Sequence, residues 1–132
     1  MRLNYLVGAL LAWTLAIGAE PPVNDADIHV TARLMSIQQA PGCGVFMWFS
    51  LAKYHVISGP TELVGKDIDV QVPCAEMPRA FATGEGDLEV FVAGEVHDLT
   101  LSRKNFVEHT IKIDDADPNW WYLRAASAHV NQ

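Results

Sequence analysis

Two cysteines are the most reactive side chains in the sequence, and one of them, Cys74, lies in the segment VPCAEMPR at residues 72–79. A cysteine acts as a nucleophile through its thiolate, which needs a positive group nearby. The nearest ionisable neighbour along the chain is instead Glu76, whose negative charge opposes thiolate formation. An even number of cysteines in an exported protein indicates a disulfide first, and closing a loop of roughly 30 residues stabilises a fold by about 3–4 kcal/mol. We therefore predict a Cys43–Cys74 disulfide, with two buried free thiols as the alternative.

The histidines carry the next candidate chemistry; they are His29, His55, His97, His109 and His129. No two of them lie at HxH or HxxxH spacing, and no CxxC pair is present, so the sequence predicts neither a metal site nor a cofactor. His97 alternates with Leu99 and Leu101 and should face the interior or a mouth of the fold. It is the histidine that we single out for binding or catalysis. No GxSxG motif, phosphate-binding glycine loop or paired carboxylates appear, so no catalytic residue is predicted.

Adjacent tryptophans stand out in the segment NWWY at residues 119–122. An exposed indole can stack on a sugar or anchor a protein partner. In a strand, Trp120 and Trp121 point to opposite faces, so one of them should belong to the core. The outer tryptophan is then a predicted binding residue.

The first residues, MRLNYLVGALLAWTLAIGAEPP, combine one arginine, an apolar run and small residues before Glu20. That layout is typical of a secretory signal peptide, predicted here over residues 1–19, with a membrane anchor as the alternative. Residues 20–27 are acidic and rich in proline, and we expect an exposed leader there. The mature chain should therefore be exported, to a periplasm or to the outside of a cell, with no membrane span after cleavage.

The charge balance narrows the classes of partner. Nine basic and sixteen acidic residues give a net charge of −7. A surface of that sign repels phosphate backbones and anionic lipids. Nucleic acid and anionic membranes are therefore excluded as expected partners.

Six segments have the composition of β-strands, because they alternate between apolar and polar residues or are rich in aromatic and β-branched residues. They are residues 28–37, 45–60, 67–74, 88–104, 106–113 and 120–127. A change of phase in LMSI, residues 34–37, predicts a bulge in the first strand. In the third, Cys74 should continue the core-facing row of Ile68, Val70 and Val72. For the last segment a short helix is the alternative.

These strands are long for one small domain, and glycine interrupts one of them at Gly94. Long, kinked strands suit a closed and strongly bent sheet. We predict an all-β domain over residues 28–132, a small closed or partly open five-stranded OB-like barrel. A small β-sandwich is the alternative.

The segments YHVISGP, VGKDIDVQVPC and FVAGEVHDLTL together resemble the middle of OB barrels of the netrin-module and tissue-inhibitor-of-metalloproteinase type. In that family a strand ending in glycine leads through a GK turn into an apolar strand that closes on a cysteine. Small exported bacterial proteins of unassigned role show the same pattern. Those inhibitors chelate the metal of their target through an N-terminal Cys-x-Cys, whereas no cysteine precedes position 43 here. The resemblance therefore implies the barrel and not metalloprotease inhibition.

The predicted function is that of an exported, non-catalytic binding or accessory module with a protein or small-ligand partner. The alternative from another class is a small hydrolase or metal-dependent enzyme that uses His97 with nearby carboxylates. A purely structural protein of the cell envelope is a third interpretation.

Overall fold

The structure is a computed structural model that describes residues 26–38, 40–82, 85–104, 110–111 and 120–131. These residues form six strands. They are β1 (Ile28–Gln38), β2 (Met47–Ser58), β3 (Asp67–Pro73), β4 (Val96–Ser102), β5 (Thr110–Ile111) and β6 (Trp121–Ala128).

Five of the strands close into a barrel. β1, β2 and β3 form an antiparallel meander, β4 pairs with β1, and β6 bridges β4 and β3. The contact between β3 and β6 is parallel, whereas all the other contacts within the barrel are antiparallel. This strand order confirms the prediction of a small five-stranded OB-like barrel, and the alternative of a β-sandwich is wrong. The short β5 lies outside the barrel, parallel to the start of β2.

The alternation of β1 places its apolar row inside the barrel, as predicted: Val30, Ala32 and Leu34 are buried. The register of β1 against β2 slips between Leu34 and Ser36, so Met35 is the bulged residue. The bulge predicted in LMSI is therefore present. It lets an eleven-residue strand bend around the barrel while it pairs with two neighbours.

β3 ends one residue earlier than its sequence pattern predicts. Ile68, Val70 and Val72 face the core, but the strand stops at Pro73. Cys74 adopts a left-handed backbone conformation with φ of 47° and begins a turn. Its side chain is buried even so, because the turn folds over the end of the barrel.

The predicted strand over residues 88–104 is correct only in its second half. β4 begins at Val96, and a turn at Gly94, where φ is 95°, separates it from the irregular residues before it. Leu88 and Phe91 are buried, whereas Val90 and Val92, which alternate with Leu88 along the sequence, are exposed. Residues 74–95 are called the plug segment below. Within it, Glu85 and Leu88 form backbone hydrogen bonds with Arg124 and Ala126 of β6, and the buried Leu88 and Phe91 pack against the core at one end of the barrel.

The remaining strand predictions have mixed outcomes. β2 runs unbroken through Ser50, and the last segment forms strand β6 rather than a helix. Of the strand predicted at 106–113, only Thr110–Ile111 falls within the described residues. The predicted signal peptide and almost all of the leader lie outside them.

Candidate functional site

The predicted disulfide is present: Cys43 and Cys74 are bonded, and their Cα atoms are 5.5 Å apart. The bond joins the loop between β1 and β2 to the plug segment. Glu76 strengthens this link, because its Oε1 accepts a hydrogen bond of 2.6 Å from the Cys43 N–H. The Cys74 N–H in turn donates to the Trp48 carbonyl at 2.9 Å. The VPCAEMPR segment is thus an architectural element and not a reactive loop.

A buried arginine holds the inner side of the plug segment. The Arg79 guanidinium has no exposed surface, and its Nη2 donates to the carbonyls of Cys74 at 2.7 Å and Met77 at 3.2 Å. It lies over the ring of Phe91, 5.1 Å from the centroid. Burial lowers the pKa of Arg79 to about 10, so it stays charged at neutral pH. The guanidinium therefore clamps the turn that carries Cys74.

His97 faces the interior, as its phase predicts, and its exposed fraction is 0%. Its Nδ1 lies 2.9 Å from the Tyr54 hydroxyl, and its Nε2 lies 3.5 Å from Oε2 of Glu95. Because a carboxylate can only accept, Nε2 carries the proton and Nδ1 accepts from Tyr54. Burial lowers the pKa of His97, and Glu95 opposes that shift. Burial also raises the pKa of Tyr54, which keeps its phenol protonated. Both ring nitrogens are therefore engaged inside the barrel.

The two tryptophans are both largely buried, each with 9% of its surface exposed. Trp121 belongs to the main hydrophobic core, and the Arg103 guanidinium covers its ring at 3.7 Å from the centroid. A depression of about 410 Å³ lies beside it, with Asp67 and Asp69 among its lining residues. Arg103 occupies the ring face that a ligand would need for stacking. A binding role for Trp120 or Trp121 stays a prediction.

Large apolar side chains project into solvent at the plugged end of the barrel. The loop 40–46 joins the end of β1 to the start of β2, and the plug segment joins the end of β3 to the start of β4. Because these strands are antiparallel neighbours, both connections lie at the same end. Val45 is 96% exposed and Phe81 is 76% exposed. We call the following set the end surface: Val45, Phe46, Phe81, Val90 and Val92.

Carboxylates surround the end surface. The plug segment carries five acidic residues, and its one basic residue, Arg79, is buried. The acidic residues are Glu76, Glu85, Asp87, Glu89 and Glu95. Glu85, Asp87 and Glu89 are exposed and form no ion pair with other described residues. The plugged end of the molecule is therefore both apolar and negatively charged.

A polar trough lies elsewhere, on the outer face of β1, β4 and β6. Asp98 is at its centre, where it accepts hydrogen bonds from the Thr31 hydroxyl at 2.7 Å and from His129 Nδ1 at 2.9 Å. His29 Nδ1 lies 3.0 Å from the Thr100 hydroxyl. Two adjoining depressions of about 330 and 530 Å³ share Thr31 in their linings.

Within the residues that the structure describes, no three His, Cys, Asp or Glu side chains are grouped so that they could hold a metal ion. His55 has a polar partner, since its Nδ1 lies 2.8 Å from Oδ1 of Asp67. The same described part of the chain has no helix with the length and hydrophobicity needed to cross a bilayer.

The fold and the Cys43–Cys74 disulfide together define the chain as a small OB-like barrel whose plugged end is held by that one bond. No protein-family model, curated protein or solved structure matches it. The resemblance to the netrin-module type therefore stays a prediction from the sequence.

Sequence reasoning missed both the end surface and the trough. The end surface comes from residues in irregular segments, where periodicity carries no information about exposure. Its only sequence signal is an apolar pair, Val45–Phe46, directly after the turn residues PGCG. The trough joins His29 and Thr31 to Asp98 and His129 across three strands, and no spacing along the chain marks such a cluster.

Proposed function

We propose that this protein is an exported, non-catalytic module that binds a protein partner through the end surface. The observation that carries the proposal is the exposure of five large apolar side chains on two connections tied by a disulfide. Contiguous exposed apolar patches on small soluble domains mark interaction sites. Full burial of one phenylalanine side chain contributes about 1.5–3 kcal/mol, and Phe46 and Phe81 supply two such anchors.

The rigidity of the two connections also supports binding. Cys43 and Cys74 join them covalently, and the hydrogen bond from the Cys43 N–H to Glu76 adds a second link. Beneath them, Arg79 fastens the plug segment through two backbone carbonyls. Side chains presented on a fixed backbone lose less conformational entropy on association than those on a free loop. The surface is therefore organised before a partner arrives.

Export is part of the proposal. A disulfide persists in oxidising compartments and is rare in the cytosol, so the Cys43–Cys74 bond supports a periplasmic or secreted location. The apolar run before Glu20 supports the same location.

The hydrolase alternative, which uses His97 with nearby carboxylates, has no comparable support. The His97 side chain has no exposed surface, and its two nitrogens face Tyr54 and Glu95. A general base must come within hydrogen-bonding reach of a proton on the substrate.

The test is a pull-down from the native envelope or culture fluid with three baits. They are the natural protein, the double variant Phe46→Ser/Phe81→Ser, and a control variant Ile57→Ser/Val64→Ser. The control removes two exposed apolar side chains away from the plugged end. We expect the natural protein and the control to retain the same partner, and the Phe46/Phe81 variant to lose it with an unchanged melting temperature. Equal capture by all three baits would exclude the end surface as the binding site.

A second candidate function, the binding of a small ligand, is favoured by the trough. Thr31 and His129 both donate hydrogen bonds to Asp98, so the polar lining is fixed without a ligand. Asp98 and Glu95 both contribute carboxylates, which disfavours an anionic ligand. A titration with neutral sugars and small amines, followed by amide chemical shifts, tests this candidate. Shifts at Thr31, Asp98 and Ser127 that Asp98→Ala abolishes would support it, and shifts spread over the whole barrel would count against it.

A further inference from the structure

We infer that the partner of the end surface is cationic: a protein segment in which apolar side chains alternate with lysine or arginine. The inference rests on the proposed function and names the chemistry of its partner. It follows from the way in which carboxylates and apolar side chains are interleaved on the plug segment.

Exposed carboxylates and exposed apolar side chains come nearest to each other along the chain at residues 85–92. Along this stretch the exposed residues Glu85, Asp87 and Glu89 come directly before the exposed Val90 and Val92. Apolar side chains and carboxylates without an ion pair to other described residues are therefore neighbours along one exposed stretch of the chain. A partner that buries the valines must also approach the carboxylates, and it has to offer them positive groups or leave them desolvated and unpaired.

The basic residues in the described part of the chain do not meet this need internally. Arg79 is turned inward to backbone carbonyls, and the Arg33 guanidinium donates to the Gly94 carbonyl at 2.8 Å. Loop 40–46 has no charged residue at all. The carboxylates of residues 85–89 thus face solvent without a countercharge from the described part of the chain.

Charge also distinguishes between the kinds of partner that could bind to the end surface. A second copy of this chain would bring the same five carboxylates of the plug segment against each other, and like charges at an interface cost several kcal/mol. An anionic lipid surface is repelled for the same reason. A cationic protein segment is attracted, and its association is accelerated by the field.

The experiment uses three labelled peptides of equal length as probes for the full mature protein. One alternates Lys and Leu, one alternates Glu and Leu, and one alternates Lys and Ser. Binding is followed by fluorescence anisotropy at low and at high salt. We expect the Lys/Leu peptide to bind, the Glu/Leu peptide not to bind, and the Lys/Ser peptide to bind at least about tenfold more weakly because it has no apolar anchors.

Two matched triple variants test which carboxylates attract the Lys/Leu peptide. Glu85→Gln/Asp87→Asn/Glu89→Gln neutralises three carboxylates beside the end surface. Glu62→Gln/Asp67→Asn/Asp69→Asn neutralises one carboxylate in the β2–β3 turn and two in the first half of β3, towards the opposite end of the barrel. We expect the first variant to weaken Lys/Leu binding about tenfold and to reduce its salt dependence, and the second to leave the affinity within about twofold.

The outcomes separate this inference from the proposed function. Equal losses in both triple variants would mean attraction to the net charge of the whole chain, and would overturn the inference. Equal binding of the Glu/Leu peptide, or no binding by any peptide, would overturn it as well. In those cases the pull-down with Phe46→Ser/Phe81→Ser still decides, on its own, whether the end surface binds a protein.

Discussion

The Tyr54 hydroxyl lies 2.9 Å from Nδ1 of His97 inside the barrel, where neither side chain has any exposed surface. The pair joins β2 to β4, two strands that do not pair with each other. It therefore crosses the interior rather than following the sheet. Each partner satisfies a polar atom that would otherwise be buried without a hydrogen bond.

Replacement of Tyr54 by phenylalanine should destabilise the protein by about 1–3 kcal/mol, because it leaves Nδ1 of His97 buried without a donor. The free energy of unfolding in urea measures this. A double-mutant cycle with His97→Leu provides the control. We expect the double variant to lose less than the sum of the two single losses, and strict additivity would mean that the two side chains do not interact.

The stability of the protein should fall as the pH is lowered from about 7 towards 5.5, because His97 is buried in its neutral form. Burial depresses its pKa in the folded state below the ordinary value, so the unfolded chain binds the proton first. The contribution of neutral His97 to the free energy of unfolding is present above the ordinary histidine pKa of about 6.5. It is lost as the pH falls towards the lower pKa of His97 in the folded state.

Urea unfolding at several pH values in this range checks the prediction, with His97→Gln as the control. The variant should show a shallower dependence on pH, since it has no proton to take up at this position. A slope that is the same in both proteins would assign the pH dependence to other groups.

Replacing both cysteines with serine should lower the free energy of unfolding by about 3–4 kcal/mol on the chain-entropy estimate. The bond closes a loop between residues 31 apart in sequence, and its removal frees loop 40–46 from the plug segment. Intact-mass analysis of the unfolded protein, alkylated with and without prior reduction, measures whether the bond forms. Two thiols that react without reductant would contradict it.

Arg79→Ala should destabilise the fold more than Arg79→Met does. Both variants remove the guanidinium donor. The Cys74 carbonyl keeps its hydrogen bond from the Met77 N–H at 3.0 Å, whereas the Met77 carbonyl loses the Arg79 donor, at a cost of about 1–3 kcal/mol for a buried group that stays unpaired. Methionine keeps an apolar contact with Phe91, whereas alanine also leaves a cavity. Thermal unfolding of the two variants side by side is the measurement, and the opposite order would show that the cavity is not the larger effect.

Gly59→Ala should be more damaging than Gly65→Ala, although both glycines have positive φ values of 143° and 79°. A Cβ at position 59 would lie 2.9 Å from Cγ1 of Val30, whereas one at position 65 would meet nothing within 4 Å. Gly65→Ala therefore reports backbone strain alone, of the order of 1 kcal/mol, and Gly59→Ala adds a steric clash. Equal melting temperatures for the two variants would refute the clash.

The sequence by itself determined the all-β class, the bulge in β1, the inward face of His97 and the disulfide. These features follow from local rules. Alternation with period two places side chains on one face of a strand, and an intramolecular disulfide in a chain with two cysteines can join only those two. The length of the strands also predicted the five-stranded barrel, whereas Gly94 does not interrupt a strand but lies in the turn before β4.

Only the tertiary structure decided which apolar residues of the irregular segments are buried. Leu88 and Phe91 plug the barrel, whereas Val90 and Val92 face solvent. Alternation from Leu88 would have placed Val90 and Val92 on the buried side. An irregular backbone has no fixed period, so the facing of its side chains depends on what lies beneath. The partners of His97 and the trough around Asp98 could not be predicted from the sequence for a related reason. Both bring together residues on strands that are distant along the chain, and the closure of the barrel sets the register of those strands.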